Sequence, residues 1–301
     1  MKKLSLALGI ACPVACKGCY FAFPFDQLRE SGFENKLISH KEVSKFIRYL
    51  VINHGLEKVT LCGGDPLSHP DMHYILEALK ALPVKVSLDT VGTNLLKDAE
   101  MIFPVKMQSK YINVSYLKDY IDILGIPLDG STQELCATFR VGRKDLFKET
   151  LDVLKKANAV DIPVSINTVV HKQNIDDLNN VLDILLSYHN IFRMQLFQFT
   201  PIGQMAFSNW NHFMISDDEF WGKISELRDT YGHRVLLDPK SNEMRINEYF
   251  MVDCFGRMYV PEIFGVEKGE AVKSDLQVLG NIKEETLYPE MLSKFKALKD
   301  A

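Results

Sequence analysis

The 301-residue sequence has no apolar run approaching the length of a membrane span. It also lacks an excess of either charge. Thirty-five Lys and Arg stand against 39 Asp and Glu, a net charge of −4 that gives no hint of a polyanionic partner, so nucleic acid is disfavoured. Cysteine is thin outside one stretch. Cys62, Cys136 and Cys254 are single and far apart and read as small buried hydrophobes. They form neither a paired disulfide framework for an oxidising compartment nor a second cluster of ligands. Low-complexity segments are missing too, and no repeat stands out beyond a strand–helix rhythm. The hydrophobic fraction, 47%, is ordinary for a globular chain. At this length a sizeable core can form, in one large domain or one and a half.

The other three cysteines fall within eight residues, Cys12, Cys16 and Cys19, spaced C-x3-C-x2-C and followed by Tyr20. Soft thiolates this crowded call for a soft metal centre. A structural zinc site wants four protein ligands. Three with no fourth nearby point to an iron–sulfur cluster with one iron open to a ligand. A rival reading takes Met1-Lys2-Lys3, the apolar Leu4–Ala11 and Cys12 as a secretory or lipoprotein signal. That apolar run is eight residues, the lower edge for such a segment, and cleavage there would waste Cys16 and Cys19. The preferred reading is a first strand, Leu4–Ile10, feeding a cluster loop.

This motif resembles the signature of the radical S-adenosylmethionine (radical SAM) enzymes. The resemblance implies a single [4Fe–4S] cluster on Cys12, Cys16 and Cys19, with Tyr20 the characteristic neighbouring aromatic. The fourth iron chelates the amino and carboxylate groups of S-adenosyl-L-methionine, whose reductive cleavage gives methionine and a 5′-deoxyadenosyl radical. A second motif supports it. The strand Glu57–Leu61 breaks into Cys62-Gly63-Gly64-Asp65-Pro66, where two glycines free the backbone to approach a ligand. Family members usually carry Gly-Gly-Glu-Pro here to hold the methionine amino group, so Gly63, Gly64, Asp65 and Pro66 are cofactor candidates, with Asp in place of Glu.

Further along, Ser39 is the expected N-cap of a helix bearing Val43, Phe46, Ile47 and Leu50 on one face. Helix Pro70–Ala81, strand Val84–Leu88, a short helix Leu95–Ile102, strand Tyr120–Leu128 and helix Phe147–Ala157 follow. Then come strand Val164–Val170, a helix from Ile175 to Ser187 capped by Asn174, and strand Arg193–Phe199. The segment Phe103–Tyr116 has no reading. The family's Thr-Asn-Gly turn is scrambled here, leaving Thr90 and Asn94 as ribose contacts, with Asp89 as an alternative acceptor. By resemblance Arg140 pairs with the cofactor carboxylate, with Arg143 a competitor. Asn167, a polar residue in mid-strand, and Thr200, with Gln198 near a barrel mouth, complete the cofactor candidates. Substrate or radical partners are weaker: Asp129, Cys136 and Tyr116, then His171 and Cys254.

Six strand–helix alternations imply parallel pairing with right-handed crossovers. They match the family's α/β fold, a partial (βα)6 TIM-like barrel, over residues 1–215. Residues 216–301 read as a small α+β extension: a helix Asp217–Tyr231 capped by Ser216, short strands including Met244–Ile246, a turn at Phe255-Gly256-Arg257 and a final helix Glu284–Leu298. It resembles a SPASM/Twitch-like extension without cluster cysteines, closing the barrel. The expected activity is hydrogen abstraction from a small polar substrate, a sugar or nucleoside, in a redox-neutral epimerisation, rearrangement, elimination or decarboxylation. Modification of a ribosomally made peptide is the alternative, and a non-catalytic electron carrier a further one. The expected setting is cytoplasmic and oxygen-sensitive, with an external flavodoxin- or ferredoxin-type electron donor.

Overall fold

A computed structural model describes residues 2–19, 25–201, 203–245, 250–260, 266–267, 270–271 and 277–300. Tyr20 and Ile246 lie outside the described residues. Ten strands form the main sheet: β1 (Lys3–Ala7), β2 (Lys58–Cys62), β3 (Lys85–Asp89), β4 (Ile123–Pro127), β5 (Val164–Val170), β6 (Ile191–Gln198), β7 (Leu236–Lys240), β8 (Met251–Asp253), β9 (Arg257–Val260) and β10 (Gln277–Asn281). Their spatial order is β7-β6-β5-β4-β3-β2-β1-β8-β9-β10. Every pairing from β7 to β8 is parallel, and β9 and β10 add antiparallel. Six parallel strands were expected. The structure has eight, because Leu236–Lys240 extends one flank and Met251–Asp253 pairs with β1 on the other.

The strands alternate between an apolar face toward the helices and a polar face toward the interior. Leu4, Leu6, Val59, Leu61, Val86 and Leu88 are buried in one apolar cluster with the helices. Helix α1 (His40–His54) contributes Val43, Phe46, Ile47 and Leu50 to it, and α2 (Met72–Lys80) contributes Ile75, Leu76 and Leu79. Each such side chain, fully buried, stabilises by roughly 1.5–3 kcal/mol. The alternate positions face a central cavity and are polar: Ser5 on β1, Thr60 on β2, Ser87 on β3. Lys3 and Lys58 from one flank line it together with Arg193 and Asp238 from the other, so the sheet curls into an open barrel. Among the described residues no helix is long and apolar enough to cross a membrane.

Local signals fixed most helix starts. Ser39 caps α1 in a reciprocal box with Glu42, whose carboxylate accepts from the Ser39 N–H at 2.7 Å. Ser216 does the same with Glu219 for α5 (Asp217–Tyr231), after α3 (Leu146–Ala159) and α4 (Leu178–Leu185). Asn174 is different. Its side chain makes no cap bond; it donates to the Asp129 and Val169 carbonyls, both at 2.8 Å, and ties β5 to the loop after β4. The expected helix Leu95–Ile102 is a short 3-10 turn, Thr93–Leu95, followed by a hairpin of Ala99–Met101 with Met107–Ser109. Ala99 and Met101 bury while Glu100 is exposed, a period of two that a helical reading misses. Helix Gln133–Phe139, capped by Thr132, was also unforeseen. The final helix is α6 (Tyr288–Asp300).

Candidate active site

The cysteine loop leaves the C-terminal end of β1 and is held from three sides. Ala11 and Ile10 donate to Ser68 Oγ at 3.1 and 3.0 Å, and Asp65 N donates to the Ala11 carbonyl at 2.7 Å. Cys12 exchanges backbone hydrogen bonds with residues 102 and 103, so the segment that had no reading buttresses the first cysteine. Ala15–Cys16 pairs antiparallel with Arg140–Val141. Gly18 sits where a Cβ would lie 2.5 Å from the Phe139 ring and 2.6 Å from that of Phe199, so the loop can close only with glycine there.

All six cysteines are free thiols. Burial, then the nearby Cys16 and Asp65, push the Cys12 thiol well up, and Cys19 adds to this, so the three sulfurs share one electrostatic neighbourhood. Burial raises Cys16 as well, against the opposing pull of Arg140, whose Nη1 donates to Cys16 Sγ at 3.5 Å. Three thiols that repel one another as thiolates favour a cationic centre between them. Among the described residues no three His, Cys, Asp or Glu side chains converge as a single-ion site. Three thiols gathered on one loop beside the Gly63-Gly64 turn and Arg140 fit a cluster held by three cysteines.

Beside the loop a cavity of about 170 Å³ opens at the C-terminal ends of the strands, where parallel βα sheets place their chemistry. Gly63, Gly64, Thr90, Arg140, Asn167 and Thr200 all line it. Gly63 and Gly64 have φ of 75° and 50°, and a Cβ on Gly63 would meet the Ala7 backbone at 2.6 Å. The turn therefore presents bare backbone to the cavity. Cys62, Asp89 and Phe197 line this cavity and the interior one alike, marking their junction. Burial pushes the Asp89 carboxyl up, with Lys58, the Asn167 amide and Arg193 pulling it back. Gly125 makes room for that pair: a Cβ there would lie 2.0 Å from Asp89 Oδ1 and 3.0 Å from Asn167 Nδ2.

Several expected contacts are structural instead. Asp65 does not line the cavity. Its carboxylate is fully buried and accepts from Leu67 N at 3.1 Å, Thr90 Oγ1 at 2.7 Å and Val91 N at 3.1 Å, stapling the glycine turn to the loop after β3. Pro66 starts a buried 3-10 turn and is likewise absent from the lining. Asn94 is wholly buried and donates to Ser109 Oγ at 2.9 Å, anchoring the hairpin rather than a ribose. Asp129 is buried, paired with Arg140 Nε at 2.5 Å and accepting from Val169 N at 2.9 Å. It orients the guanidinium and does not reach the cavity. Arg143 is held by Glu149 at 2.6 and 2.7 Å.

The weaker candidates scatter. Cys136 donates to the Gly130 carbonyl at 3.3 Å, and burial and Asp129 push its thiol up to about 12. Tyr116 bonds the His73 ring at the surface, on the helix Val114–Lys118. His171 stacks on Phe139 at 5.4 Å, buried and held by desolvation at about 4. Cys254 packs with Ile10, Leu28, Leu37 and Phe255. None of these lines the cofactor cavity. Sequence reasoning passed over the polar interior formed by Ser5, Thr60, Ser87, Gln195 and Asp238. The signal was present: β1, β2 and β3 each carry a polar side chain, Ser5, Thr60 and Ser87, between two buried apolar neighbours.

Comparison with known proteins agrees with this geometry. Residues 7–185 match the model of the Radical SAM superfamily. An S-adenosylmethionine-dependent nucleotide dehydratase of Lacinutrix mariniflava is 24% identical over 257 residues, 82% of this chain, and this chain spans 48% of that protein's length. In fold, native anSMEcpe with bound AdoMet superposes with a TM-score of 0.67 at 17% identity, over 99% of this chain and 83% of that one. Streptococcus suis SuiB bound to precursor peptide SuiA gives 0.64 at 16% identity, over 85% of this chain and 58% of that one.

Proposed function

Because the chain belongs to the radical SAM superfamily, we propose that it acts on a small polar substrate, a nucleoside or sugar derivative, bound inside its barrel. It is an enzyme that uses a [4Fe–4S] cluster and S-adenosylmethionine. When bound, this pair supplies a 5′-deoxyadenosyl radical, a hydrogen-atom abstractor. The chain's own residues do the rest. Cys12, Cys16 and Cys19 hold the cluster. Gly63 and Gly64 would offer backbone to the methionine end of the cofactor, and Arg140, fixed by Asp129, would pair with its carboxylate. Thr90, Asn167 and Thr200 line the nucleoside end, and Tyr20 is kept as a candidate from the motif alone.

The observation that carries the substrate reading is the interior cavity of about 500 Å³, walled by hydroxyl, amide and charged side chains and joined to the cofactor cavity at Asp89. Closed eight-stranded βα barrels fill that space with bulky aliphatic side chains, whereas this open sheet leaves it as a cavity. Here it is shaped for something polar, and the nucleotide dehydratase among the relatives supports that direction. A short peptide is the second candidate, supported by the fold shared with SuiB. We assign residues 1–215 the cluster and cofactor contacts, and residues 216–301 the wall around the substrate, where Asp238 lies. Redox-neutral chemistry is the corollary, because no second cysteine cluster exists to accept a substrate electron. Six free thiols support a reducing, cytoplasmic setting with a flavodoxin- or ferredoxin-type donor. The test is anaerobic reconstitution with iron and sulfide, then dithionite and S-adenosylmethionine. 5′-Deoxyadenosine should form, and its rate should rise with nucleosides or sugars and not with peptides. Iron binding without any cleavage would return the chain to the electron-carrier class.

A further inference from the structure

Among the described residues that line the interior, cations outnumber carboxylates: Lys3, Lys58, Arg193 and Lys240 face Asp89 and Asp238. Asp238 is already shared, taking Lys240 Nζ at 2.8 Å and Arg193 Nη1 at 3.4 Å. Arg193 is further fixed by its Nε bond to Ser165 Oγ at 3.1 Å. Lys58 makes no ion pair among the described residues. It stands in register with Lys3 on β1 and Lys85 on β3, so three adjacent strands carry a lysine at the same level. Like charges directly opposite on neighbouring strands destabilise a sheet. Burial, and next the Arg193 charge, pull the Lys58 ammonium down from its ordinary value, against the opposing pull of Asp89 and Asp238.

The imbalance has a direction. Asp89 sits at the end of β3 beside the cofactor cavity, whereas Lys3 and Lys58 begin their strands at the opposite end. Lys58 and Arg193 offset part of the Asp89 charge, so an anion that passes the junction is drawn to these cations at the floor. We propose that this floor, between Lys58 and Arg193, binds an anionic group of the substrate, a phosphate or a carboxylate. The proposal rests on the enzyme reading above and narrows its substrate class to phosphorylated or acidic nucleosides and sugars. The neutral, hydroxyl-bearing part then lies toward Asp89 and Asn167.

The test uses reconstituted holoenzyme with S-adenosylmethionine under anaerobic conditions. Binding is measured by calorimetry for each common ribonucleoside beside its mono- and triphosphate, and for glucose beside glucose 6-phosphate and glucuronate. The phosphate and carboxylate arms separate the two sources of anion. At least one anionic member should bind about tenfold or more tightly than its neutral parent, the size of one charge-assisted contact. Lys58→Met should abolish that advantage, Lys58→Arg should restore most of it, and added salt should erode it. Thermal midpoints of the variants control for folding. The proposal is overturned if no anionic member binds more tightly than its parent, or if the advantage survives both Lys58→Met and Arg193→Gln. 5′-Deoxyadenosine formation stimulated by a neutral member alone would sink the anion site and leave the enzyme reading standing.

Discussion

Replacing Asp65 separates a cofactor ligand from a structural staple. Three buried donors converge on its carboxylate, Leu67 N, Thr90 Oγ1 and Val91 N. Asp65→Ala leaves all three without an acceptor at a position with no solvent exposure. Each stranded donor costs about 1–3 kcal/mol. Relief of the buried charge offsets part of this, since burial already pushes the Asp65 carboxyl above its ordinary value. The net loss should be about 3 kcal/mol, equivalent to a fall of roughly 5 °C in Tm for a domain of this size. Asp65→Asn should cost less. It keeps an acceptor for Leu67, lets the Thr90 hydroxyl turn, and sets donor against donor only at Val91. The assay is calorimetric unfolding of reconstituted enzyme with no S-adenosylmethionine present. A pure ligand of the cofactor would leave this transition where it is. An Asp65→Ala midpoint within 1 °C of wild type, with cofactor binding lost, would refute the staple.

Two further outcomes follow from the same geometry. Gly125→Ala drives a methyl group to within 2.0 Å of Asp89 Oδ1, a side-chain atom that can move, so stability should change little while substrate-stimulated 5′-deoxyadenosine formation falls at least about tenfold; unchanged turnover would remove Asp89 from the junction. His69 and His171 are both held at about 4 by desolvation, below the usual 6.5. The unfolded chain binds more protons in that interval, so their contribution is complete above about pH 6.5 and is lost as pH falls toward 4. Urea midpoints from pH 7 to 4 should drop steeply in wild type and less so in His171→Gln, and equal slopes would contradict the assignment.

What the sequence made legible was local. The helix caps Ser39 and Ser216, the break of a strand at Gly63-Gly64 and the family that the cysteine spacing suggests each rest on a few neighbouring residues, and the caps, the turn and the family are as read. The parallel order followed from rhythm. What stayed hidden depends on partners far along the chain. Asp65 looks like a ligand until Thr90 and Val91, 25 and 26 residues on, are seen to occupy it. Asn94 reads as a ribose contact until Ser109 arrives from a hairpin mistaken for a helix. The polar barrel was written in Ser5, Thr60 and Ser87, but one polar side chain per strand means little until curvature gathers them around one space.

Strand β8 adds a consequence for how the protein is made. Its partner β1 spans Lys3–Ala7, and residues 251–253 follow almost 250 residues later in the chain. Until then the nascent chain carries an unpaired parallel edge directly before its cysteine loop. Open edges of this sort recruit other strands. Synthesis arrested before residue 251 should therefore yield a product that aggregates through β1, and a separately supplied segment containing β8 to β10 is the natural remedy.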